Sequence, residues 1–352
     1  MMLDAVETPA VLIDIEVAER NIQDCQDYCD EHDIALRPHI KTHKLPRLAQ
    51  AQIDAGAIGI TCQKIGEAEV MAAAGIKDIL LTYNILGPAK LARLRCLHDA
   101  IKLSVTADNP TVLRGLSEAF ADAEWPLAVL IECDTGGNRC GVQSPQAAVE
   151  LAEQIGQSMG LRFAGLMTYP KAGGTADVQA FMAGAKALLA EAGYACATIS
   201  SGGSPDLRQA HLAPVVEEYR VGTYIYNDRS LLARGACNLG DCALHVLATV
   251  ISTPTPERAI IDAGSKILTT DLFGLDGYGV VIDHPALAVA ALNEEHGHID
   301  CSRAPGSLSV GDRIRIVPNH ACVVSNMVDH VYLMDGDEVF SVEEVAARGM
   351  VV

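Results

Sequence analysis

The feature that most constrains the fold is a regular alternation of short apolar runs with amphipathic stretches between about residues 10 and 230. The apolar runs, each short enough for one strand, are 10–13, 35–38, 58–61, 79–82, 102–105, 128–132, 163–167 and 198–200. The helical patterns between them are 17–32, 44–55, 64–74, 88–100, 111–121, 145–160 and 175–192. Such an alternation predicts parallel strands joined by helical crossovers.

About eight strand candidates favour a closed (β/α)8 TIM barrel, and an open doubly wound sheet is the alternative. After residue 236 helical patterns almost vanish. Short strand patterns separated by Gly, Pro and Asp turns follow at 244–252, 258–262, 277–282, 286–292, 313–317 and 330–333. We therefore predict an α/β barrel over residues 1–235, whose first strand can be shared with the next domain, and a C-terminal mainly-β domain over residues 236–352.

The charge balance excludes several classes of partner. The 352-residue chain has a formal net charge of −19, which argues against nucleic acid and against an anionic membrane surface. No stretch approaches the roughly 20 apolar residues of a membrane span, and the N-terminus lacks a basic and then apolar signal pattern. The 11 cysteines include no CxxC pair, as expected for structural thiols. We expect a cytoplasmic protein.

A basic segment, LRPHIKTHK (36–44), follows an early strand. Barrel active sites lie at the C-terminal ends of the strands. If the segment continues as a strand, Arg37, His39, Lys41 and His43 share one face. Neighbouring cations and partial burial would favour loss of the Lys41 proton, as a Schiff-base amine requires. A solvated basic strand end is the alternative.

A second segment, DTGGNRCG (134–141), follows the strand pattern at 128–132. Its glycines permit close approach of the backbone, and Arg139 is suited to donate hydrogen bonds to an oxygen anion. A tight turn between strand and helix that happens to contain Arg139 is the alternative.

A third segment, SSGGSP (200–205), lies directly after a strand, and RVGTY (220–224) follows it. A glycine-rich turn with serine hydroxyls can hold a phosphate, and barrels often place one after strands seven and eight. An ordinary loop is the alternative. Neither the P-loop nor the dinucleotide fingerprint is matched, which argues against ATP and NAD.

A fourth segment, PNHAC (318–322), follows the strand pattern at 313–317. In an extended strand, His320 and Cys322 would point to the same side and could share one divalent metal. Imidazole with thiolate favours zinc over magnesium or calcium. A buried core histidine and cysteine is the alternative.

Together these segments resemble the fold-type III pyridoxal-phosphate enzymes, and within them the D-threonine aldolase and D-serine dehydratase group. The resemblance extends from residue 8 to residue 349. Its most specific parts are 37–44, 137–142, 201–203, 294–297 and 318–322. It implies an alanine-racemase-like barrel with a C-terminal β domain, a homodimer, and two cofactors: pyridoxal 5'-phosphate and a divalent metal, with zinc favoured and manganese or magnesium possible.

The resemblance also assigns roles to single residues. Lys41 resembles the Schiff-base lysine, Arg139 the arginine near the cofactor's phenolic oxygen, and Tyr169 the tyrosine beside the cofactor ring. The residues that resemble the phosphate-binding set are Ser201, Gly202, Gly203, Gly222 and Tyr224. His320 and Cys322 resemble the metal pair.

Two positions depart from the family pattern. The aldolase branch usually pairs His with Asp at the metal, whereas the dehydratase branch pairs His with Cys, so Cys322 indicates zinc and dehydration. Members also carry a histidine a few residues after the Tyr169 position, and the stretch 170–175 (PKAGGT) has none. The chain length and the run GLMTYP (165–170) are nonetheless most similar to the low-specificity D-threonine aldolase-like subgroup.

These observations predict a lyase acting on D-3-hydroxy-α-amino acids. Aldol cleavage of D-threonine to glycine and acetaldehyde is slightly favoured. Dehydration of D-serine or D-3-hydroxyaspartate to a 2-oxo acid and ammonia is the alternative. An amino-acid racemase needs a second base and no metal, so the pair at 320 and 322 argues against it. A non-catalytic cofactor carrier would resemble the barrel alone, so the second domain predicted over residues 236–352 argues against it.

Overall fold

A computed structural model describes residues 2–282, 284 and 286–352. The chain divides into two compact units. The barrel unit comprises Asp24–Lys41, Pro46–Gly222 and Met350–Val352, and the β unit comprises Met1–Gln23, Thr42–Leu45 and Thr223–Gly349. The domain boundary expected at residues 235 and 236 stays a prediction.

The barrel unit is built on a parallel sheet of eight strands within the described residues. In chain order they are Ala35–Leu36, Ile60–Cys62, Asp78–Leu81, Lys102–Ala107, Leu127–Cys133, Leu161–Thr168, Ile199–Gly202 and Glu218–Arg220. The first strand pairs with the eighth. Thr61 donates its N–H to the Pro38 carbonyl at 2.8 Å, which joins the segment after the first strand to the second strand. The sheet therefore closes on itself.

The helix Ile15–Glu31 precedes the first strand of this sheet, and six helices within the described residues connect successive strands. They are Pro46–Asp54, Ile65–Ala73, Pro88–Ala100, Pro110–Phe120, Pro145–Gln157 and Thr175–Glu191. Their starts follow local rules, since Asn109 and Ser144 accept N–H groups of the first turn and proline occupies the first helical position. The strand Leu127–Cys133 is buried along its whole length, as is typical of a parallel strand covered on both faces.

The β unit is built on a nine-stranded sheet. Its strands are Ala10–Asp14, Leu244–Thr255, Arg258–Ile261, Gly279–Val281, Ala288–Leu292, Gly297–Asp300, Arg313–Pro318, His330–Asp335 and Glu338–Glu344. Short helices in this unit are Arg229–Leu232, Ser265–Leu268 and Ala321–Met327. All neighbouring strands pair antiparallel except Ala10–Asp14 with His330–Asp335, which are parallel.

The predicted fold class, an alanine-racemase-like barrel with a mainly-β domain, is confirmed, but one strand was assigned to the wrong sheet. The run at 10–13 was counted as a barrel strand. Ala10–Asp14 instead pairs with Leu244–Thr255 and His330–Asp335. The eighth barrel strand is Glu218–Arg220, which the apolar pattern missed because two of its three residues are charged.

Short 3-10 turns also bear on the site. They are Ile40–Thr42, Ser204–Leu212 and Thr223–Ile225. No helix in the described part of the chain combines the length and the apolar character that a membrane span requires.

Candidate active site

The basic segment 36–44 is not an extended strand. The first barrel strand ends at Leu36, and Ile40–Thr42 forms a 3-10 turn. The expected alternation, with residues 37, 39, 41 and 43 on one strand face, is therefore wrong. Hydrogen bonding explains the difference, because His39 donates its backbone N–H to Val221 in the chain after the eighth strand and the turn begins directly after it.

His39 holds the turn that carries Lys41. Its Nδ1 accepts the backbone N–H of Lys41 at 3.3 Å. Its Nε2 lies 3.2 Å from Gln63 Oε1. The amide nitrogen of Gln63, Nε2, donates to the Thr82 carbonyl at 2.8 Å. With Nδ1 as the acceptor, Nε2 is the protonated nitrogen. These bonds fix the backbone at Lys41 to two other parts of the barrel.

Lys41 lies beside an aromatic ring at the C-terminal end of the barrel. Its Nζ is 5.9 Å from the centre of the Tyr169 ring, and the guanidinium carbon of Arg139 is 4.8 Å from the same centre. Tyr169 is 43% exposed, so part of the ring remains open to a ligand. Lys41 forms no ion pair with any residue that the structure describes. Three of the predicted cofactor residues thus lie together.

Arg139 is placed by a tight turn. The Asp134 carboxylate accepts the N–H groups of Gly136 and Gly137 at 2.9 and 2.8 Å. A side chain at Gly141, where φ is +117°, would place its Cβ 2.4 Å from the Asp134 nitrogen. Burial opposes ionisation of Asp134, but the N–H donors of the turn outweigh it and lower its pKa. The turn therefore presents Arg139 on a fixed, charge-stabilised loop.

A carboxylate lies under Arg139. Glu132 Oε1 is 3.9 Å from an Arg139 guanidinium nitrogen, and the Glu132 side chain is only 6% exposed. Burial raises the pKa of Glu132, although Arg139 and Arg220 oppose the shift. Arg139 is thus close to one buried acid yet largely exposed on its other side.

A buried polar network crosses the barrel interior, and sequence reasoning missed it. Arg37 donates to Glu218 at 2.7 Å and to Asp78 at 2.6 Å. Burial lowers the pKa of Arg37, but the two carboxylates outweigh this and raise it. The Arg37 charge is therefore balanced within the barrel, and the predicted pressure of this cation on Lys41 does not apply.

The network continues towards the glycine-rich turn. Ser200 Oγ donates to Glu218 at 2.6 Å and accepts from Arg220 Nε at 2.8 Å, while Arg220 also donates to the Thr168 carbonyl at 2.6 Å. Burial lowers the pKa of Arg220, with Glu218 opposing the shift. The sequence signal that could have revealed this network is an arginine inside or next to an apolar strand. A buried guanidinium needs carboxylate or carbonyl partners.

The predicted phosphate-binding turn lies at the ends of the seventh and eighth barrel strands. Ser201 and Gly202 are buried, and a Cβ at Gly202 would come 2.1 Å from the Arg220 carbonyl oxygen. Gly203 has φ of +119°, which disfavours any other residue, and a Cβ there would meet only Pro205 at 4.0 Å. Gly222 is buried just after the eighth strand. Gly202 thus permits the close approach of the Arg220 carbonyl, and the space beside Gly203 is open to a ligand.

Tyr224, the fifth predicted phosphate residue, belongs to the β unit. It is buried in the 3-10 turn Thr223–Ile225. Thr223, its neighbour, places its hydroxyl oxygen 3.5 Å from Cys322 Sγ.

The structure brings His320 and Cys322 together, but by a different geometry from the one expected. The strand ends at Pro318, His320 precedes the helix Ala321–Met327, and Cys322 lies in its first turn. The argument from strand alternation is therefore wrong. The two side chains nevertheless form a hydrogen bond. Thr42 also places its hydroxyl oxygen 3.1 Å from Cys322 Sγ.

The surroundings of His320 favour positive charge. Its Nδ1 lies 2.6 Å from Asp271 Oδ2. Burial opposes protonation of His320, but Cys322, Asp271 and Asp228 outweigh it and raise the pKa to about 9. Among the described residues, no group of three or more His, Cys, Asp or Glu side chains is arranged to hold a metal ion. An ion at this pair would leave coordination positions for water or substrate.

The run 294–297, one of the most specific parts of the family resemblance, lies at a turn of the β unit. It forms the turn between the strands Ala288–Leu292 and Gly297–Asp300. The carbonyls of Asn293 and Glu294 accept N–H groups of Ser265 and Lys266 at 2.8 and 3.2 Å. The turn therefore supports the start of the helix Ser265–Leu268, directly before the loop that carries Asp271.

The stretch after Tyr169 contains no replacement for the family histidine. Lys171, the titratable residue nearest to Tyr169 in it, is exposed and pairs with Asp177 at 2.8 Å. This departure from the family pattern is therefore not offset within residues 170–175.

Comparisons with known proteins agree with this arrangement. Residues 13–230 match the family described as "Alanine racemase, N-terminal domain", and residues 243–334 match "Putative serine dehydratase domain". A D-threonine aldolase from Arthrobacter sp is 35% identical over 361 residues, which cover 99% of this chain and 94% of the relative. A D-threo-3-hydroxyaspartate dehydratase from Delftia sp. (strain HT23) is 32% identical, covering 90% of this chain and 91% of the relative.

Solved structures give the same grouping. D-Threonine aldolase from Filomicrobium marinum superposes with a TM-score of 0.90 at 33% identity, covering 99% of this chain and 97% of that one. A D-threo-3-hydroxyaspartate dehydratase variant with a cysteine replaced by alanine, described as a metal-free form, has a TM-score of 0.86 at 30% identity over 98% of each chain.

An alanine racemase from Clostridium difficile 630, at 13% identity and a TM-score of 0.72 over 97% of this chain and 99% of that one, shares the fold. The fold and these relatives thus define a fold-type III pyridoxal-phosphate enzyme. Within that class, the chain belongs to the family of the D-threonine aldolases, 3-hydroxyaspartate aldolases and dehydratases, and D-serine dehydratases.

Proposed function

We propose that this protein is a pyridoxal-phosphate- and divalent-metal-dependent lyase that acts on D-3-hydroxy-α-amino acids. The observation that carries the proposal is the placement of Lys41, without a carboxylate partner in the described chain, beside Tyr169 and Arg139 in a full-length relative of D-threonine aldolase. We favour cleavage of D-threonine to glycine and acetaldehyde. We further expect a homodimer in the cytoplasm.

The residues present fit the cofactor. Lys41 Nζ supplies the amine that would hold the cofactor aldehyde, and Arg139 supplies a donor for its phenolic oxygen. The open space beside Gly203, in the turn that also carries Ser201 and Gly202, suits a phosphate. When bound, the cofactor acts as an electron sink for the bonding electrons of the substrate Cα.

The residues present also fit a divalent metal. His320 and Cys322 are in contact and supply imidazole and thiolate, a donor set that favours zinc. The ion would supply Lewis acidity towards the substrate 3-hydroxyl. Thr42, which directly follows Lys41 in the sequence, places its hydroxyl oxygen 3.1 Å from Cys322 Sγ.

The two lyase reactions differ in which proton leaves. Aldol cleavage removes the 3-hydroxyl proton and breaks the Cα–Cβ bond, whereas dehydration removes the Cα proton and expels the hydroxyl group. The Lys41 amine would be suited to take the Cα proton. Likeness to D-threonine aldolase supports the first reaction. Cys322 supports the second, as dehydration of D-serine or D-3-hydroxyaspartate.

The remaining functions have weaker support. A racemase needs a second base on the opposite face of the substrate and no metal, so the contact between His320 and Cys322 argues against it. A non-catalytic carrier would not need the second family domain, which matches over residues 243–334.

Product analysis tests the proposal. The cofactor-loaded protein is incubated with zinc or manganese and with D-threonine, D-serine or D-3-hydroxyaspartate, and L-threonine serves as the control substrate. Glycine and acetaldehyde from D-threonine alone would support aldol cleavage. A 2-oxo acid and ammonia from the other substrates would favour the dehydratase. Interconversion of D- and L-alanine without cleavage would favour the racemase, and no turnover of any substrate would contradict the lyase.

A further inference from the structure

The loop between the helix Ser265–Leu268 and the strand Gly279–Val281 has an unusual backbone. Thr269 has φ of 67° and Phe273 has φ of 51°. Thr269 is β-branched and only 3% exposed, so a left-handed conformation there is unfavourable. Such conformations are unfavourable and persist only where the surroundings enforce them. The residue between these two positions that contacts the candidate metal pair is Asp271.

Asp271 contacts His320 directly. Its Oδ2 lies 2.6 Å from His320 Nδ1, and its backbone N–H is bonded to Thr269 Oγ1 at 3.2 Å. Phe273 packs edge-to-face on the same imidazole, with ring centres 4.9 Å apart. With the carboxylate bonded to Nδ1, Nε2 is the ring nitrogen left to coordinate a metal ion. The two side chains of the loop thus fix both the tautomer and the plane of the ring.

The loop is held by a buried amide next to His320 in the sequence. Asn319 is fully buried, and its Nδ2 donates to the carbonyls of Asp271 at 3.0 Å and Gly277 at 2.9 Å. Arg229 donates to Asn319 Oδ1 and to the Gly277 carbonyl, both at 3.1 Å. Asn319, the residue before His320, is thus bonded to two positions of the loop. These bonds fix the position of the Asp271 carboxylate relative to the His320 imidazole.

We propose that Asp271 is a positioning residue that orients His320 for metal binding, and that the strained loop 269–278 exists to hold it there. The inference rests on the proposed function, in that His320 and Cys322 must hold the ion. Asp271 is 43% exposed, so it tolerates replacement, and it contributes through the ring and not through the reacting atoms.

Zinc affinity of the cofactor-loaded protein, measured by competition with a chromogenic chelator, tests this role. Asp271→Ala should bind zinc about 10 to 100 times more weakly than the wild type, because an outer partner of a metal-binding histidine typically contributes that much. Asp276→Ala, an exposed acid in the same loop, is the matched control and should stay within about twofold of the wild type. The absorption of the lysine-bound cofactor should be unchanged in both variants.

The outcomes separate this inference from the proposed function. If His320→Ala and Cys322→Ala retain wild-type zinc affinity, the metal pair itself is wrong. If they lose zinc but Asp271→Ala keeps wild-type affinity, the pair stands and the positioning role is overturned. Should Asp271→Ala fail to fold, Asp271→Asn decides: about threefold or greater loss of zinc affinity supports the role, and unchanged affinity overturns it.

Discussion

The Lys41 Nζ lies 5.9 Å from the centre of the Tyr169 ring, and no carboxylate in the described part of the chain pairs with it. The other lysines of this region are engaged elsewhere. Lys44 donates to the Ala347 carbonyl at 3.3 Å, and Lys64 sits 3.7 Å above the Tyr83 ring. An amine without an ionic partner is suited to covalent attachment of an aldehyde.

We therefore expect borohydride reduction of the cofactor-loaded protein, followed by peptide mapping, to place the pyridoxyl label on Lys41. Lys41→Ala should lose the visible absorption of the bound cofactor and essentially all activity, whereas Lys64→Ala should keep both. A label on Lys44 or Lys64 would refute the assignment.

Gly203→Val should weaken cofactor binding before it alters chemistry. Its φ of +119° disfavours a side chain, and the new Cβ would occupy space that the structure leaves open for a phosphate. We expect cofactor affinity to fall about tenfold or more, roughly 1.4 kcal/mol, when measured by fluorescence titration. Gly75→Val, at φ of +104° with nothing within 4 Å, is the matched control for backbone strain. Equal cofactor affinity in Gly203→Val and the wild type would place the phosphate site elsewhere.

Chelation should separate the metal from the cofactor. EDTA should abolish lyase activity while the absorption of the lysine-bound cofactor stays nearly intact, because the proposed ion would have two protein ligands, His320 and Cys322, and each unit is compact by itself. Added zinc or manganese should restore turnover. Cys322→Asp should shift the preference towards manganese, since a carboxylate is the harder ligand. Full activity after EDTA, with no metal by elemental analysis, would make the pair structural and favour the racemase.

We expect replacement of Arg37 to reduce the free energy of unfolding more than replacement of any other single cation. Arg37→Met leaves Glu218 buried without its ion-pair partner, while Asp78 keeps Lys102, and breaking a buried pair costs about 3–5 kcal/mol. The free energy of unfolding in urea measures the loss. Arg93→Met, which breaks a partly exposed pair with Glu69, should cost about 1 kcal/mol or less. Similar losses in the two variants would contradict the buried network.

Glu132 should make stability fall as the pH rises. Its pKa is raised in the folded protein by burial, with Asp108 and Asp134 adding and Arg139 and Arg220 opposing. Folding therefore binds a proton between the ordinary carboxyl pKa of about 4.3 and the raised value, and stability is lost across that window as the pH rises. Glu132→Gln should accordingly gain in melting temperature relative to the wild type between pH 4 and pH 8. The exposed Glu150→Gln is the control, and an equal trend in both would refute the cause.

Local signals in the sequence were sufficient to predict most of the barrel. The helix Pro88–Ala100 has the predicted bounds, because proline opens it and the strand that follows starts at Lys102. The position of Lys41 after an early strand followed from the same alternation. Helix caps and apolar periodicity are properties of neighbouring residues, so they are readable without the rest of the fold.

Only the tertiary structure decided which strands pair and which side chains meet. Ala10–Asp14 has a strand pattern in any fold, but its partners lie more than 200 residues away along the chain. The partners of Arg37 lie on other strands, with Glu218 181 residues and Asp78 41 residues away along the chain. His320 and Cys322 meet because the strand ends at Pro318 and a helix begins at Ala321, a change of period that a spacing of two residues does not reveal. Strand pairing and ion pairing depend on contacts across the fold, and no local pattern specifies them.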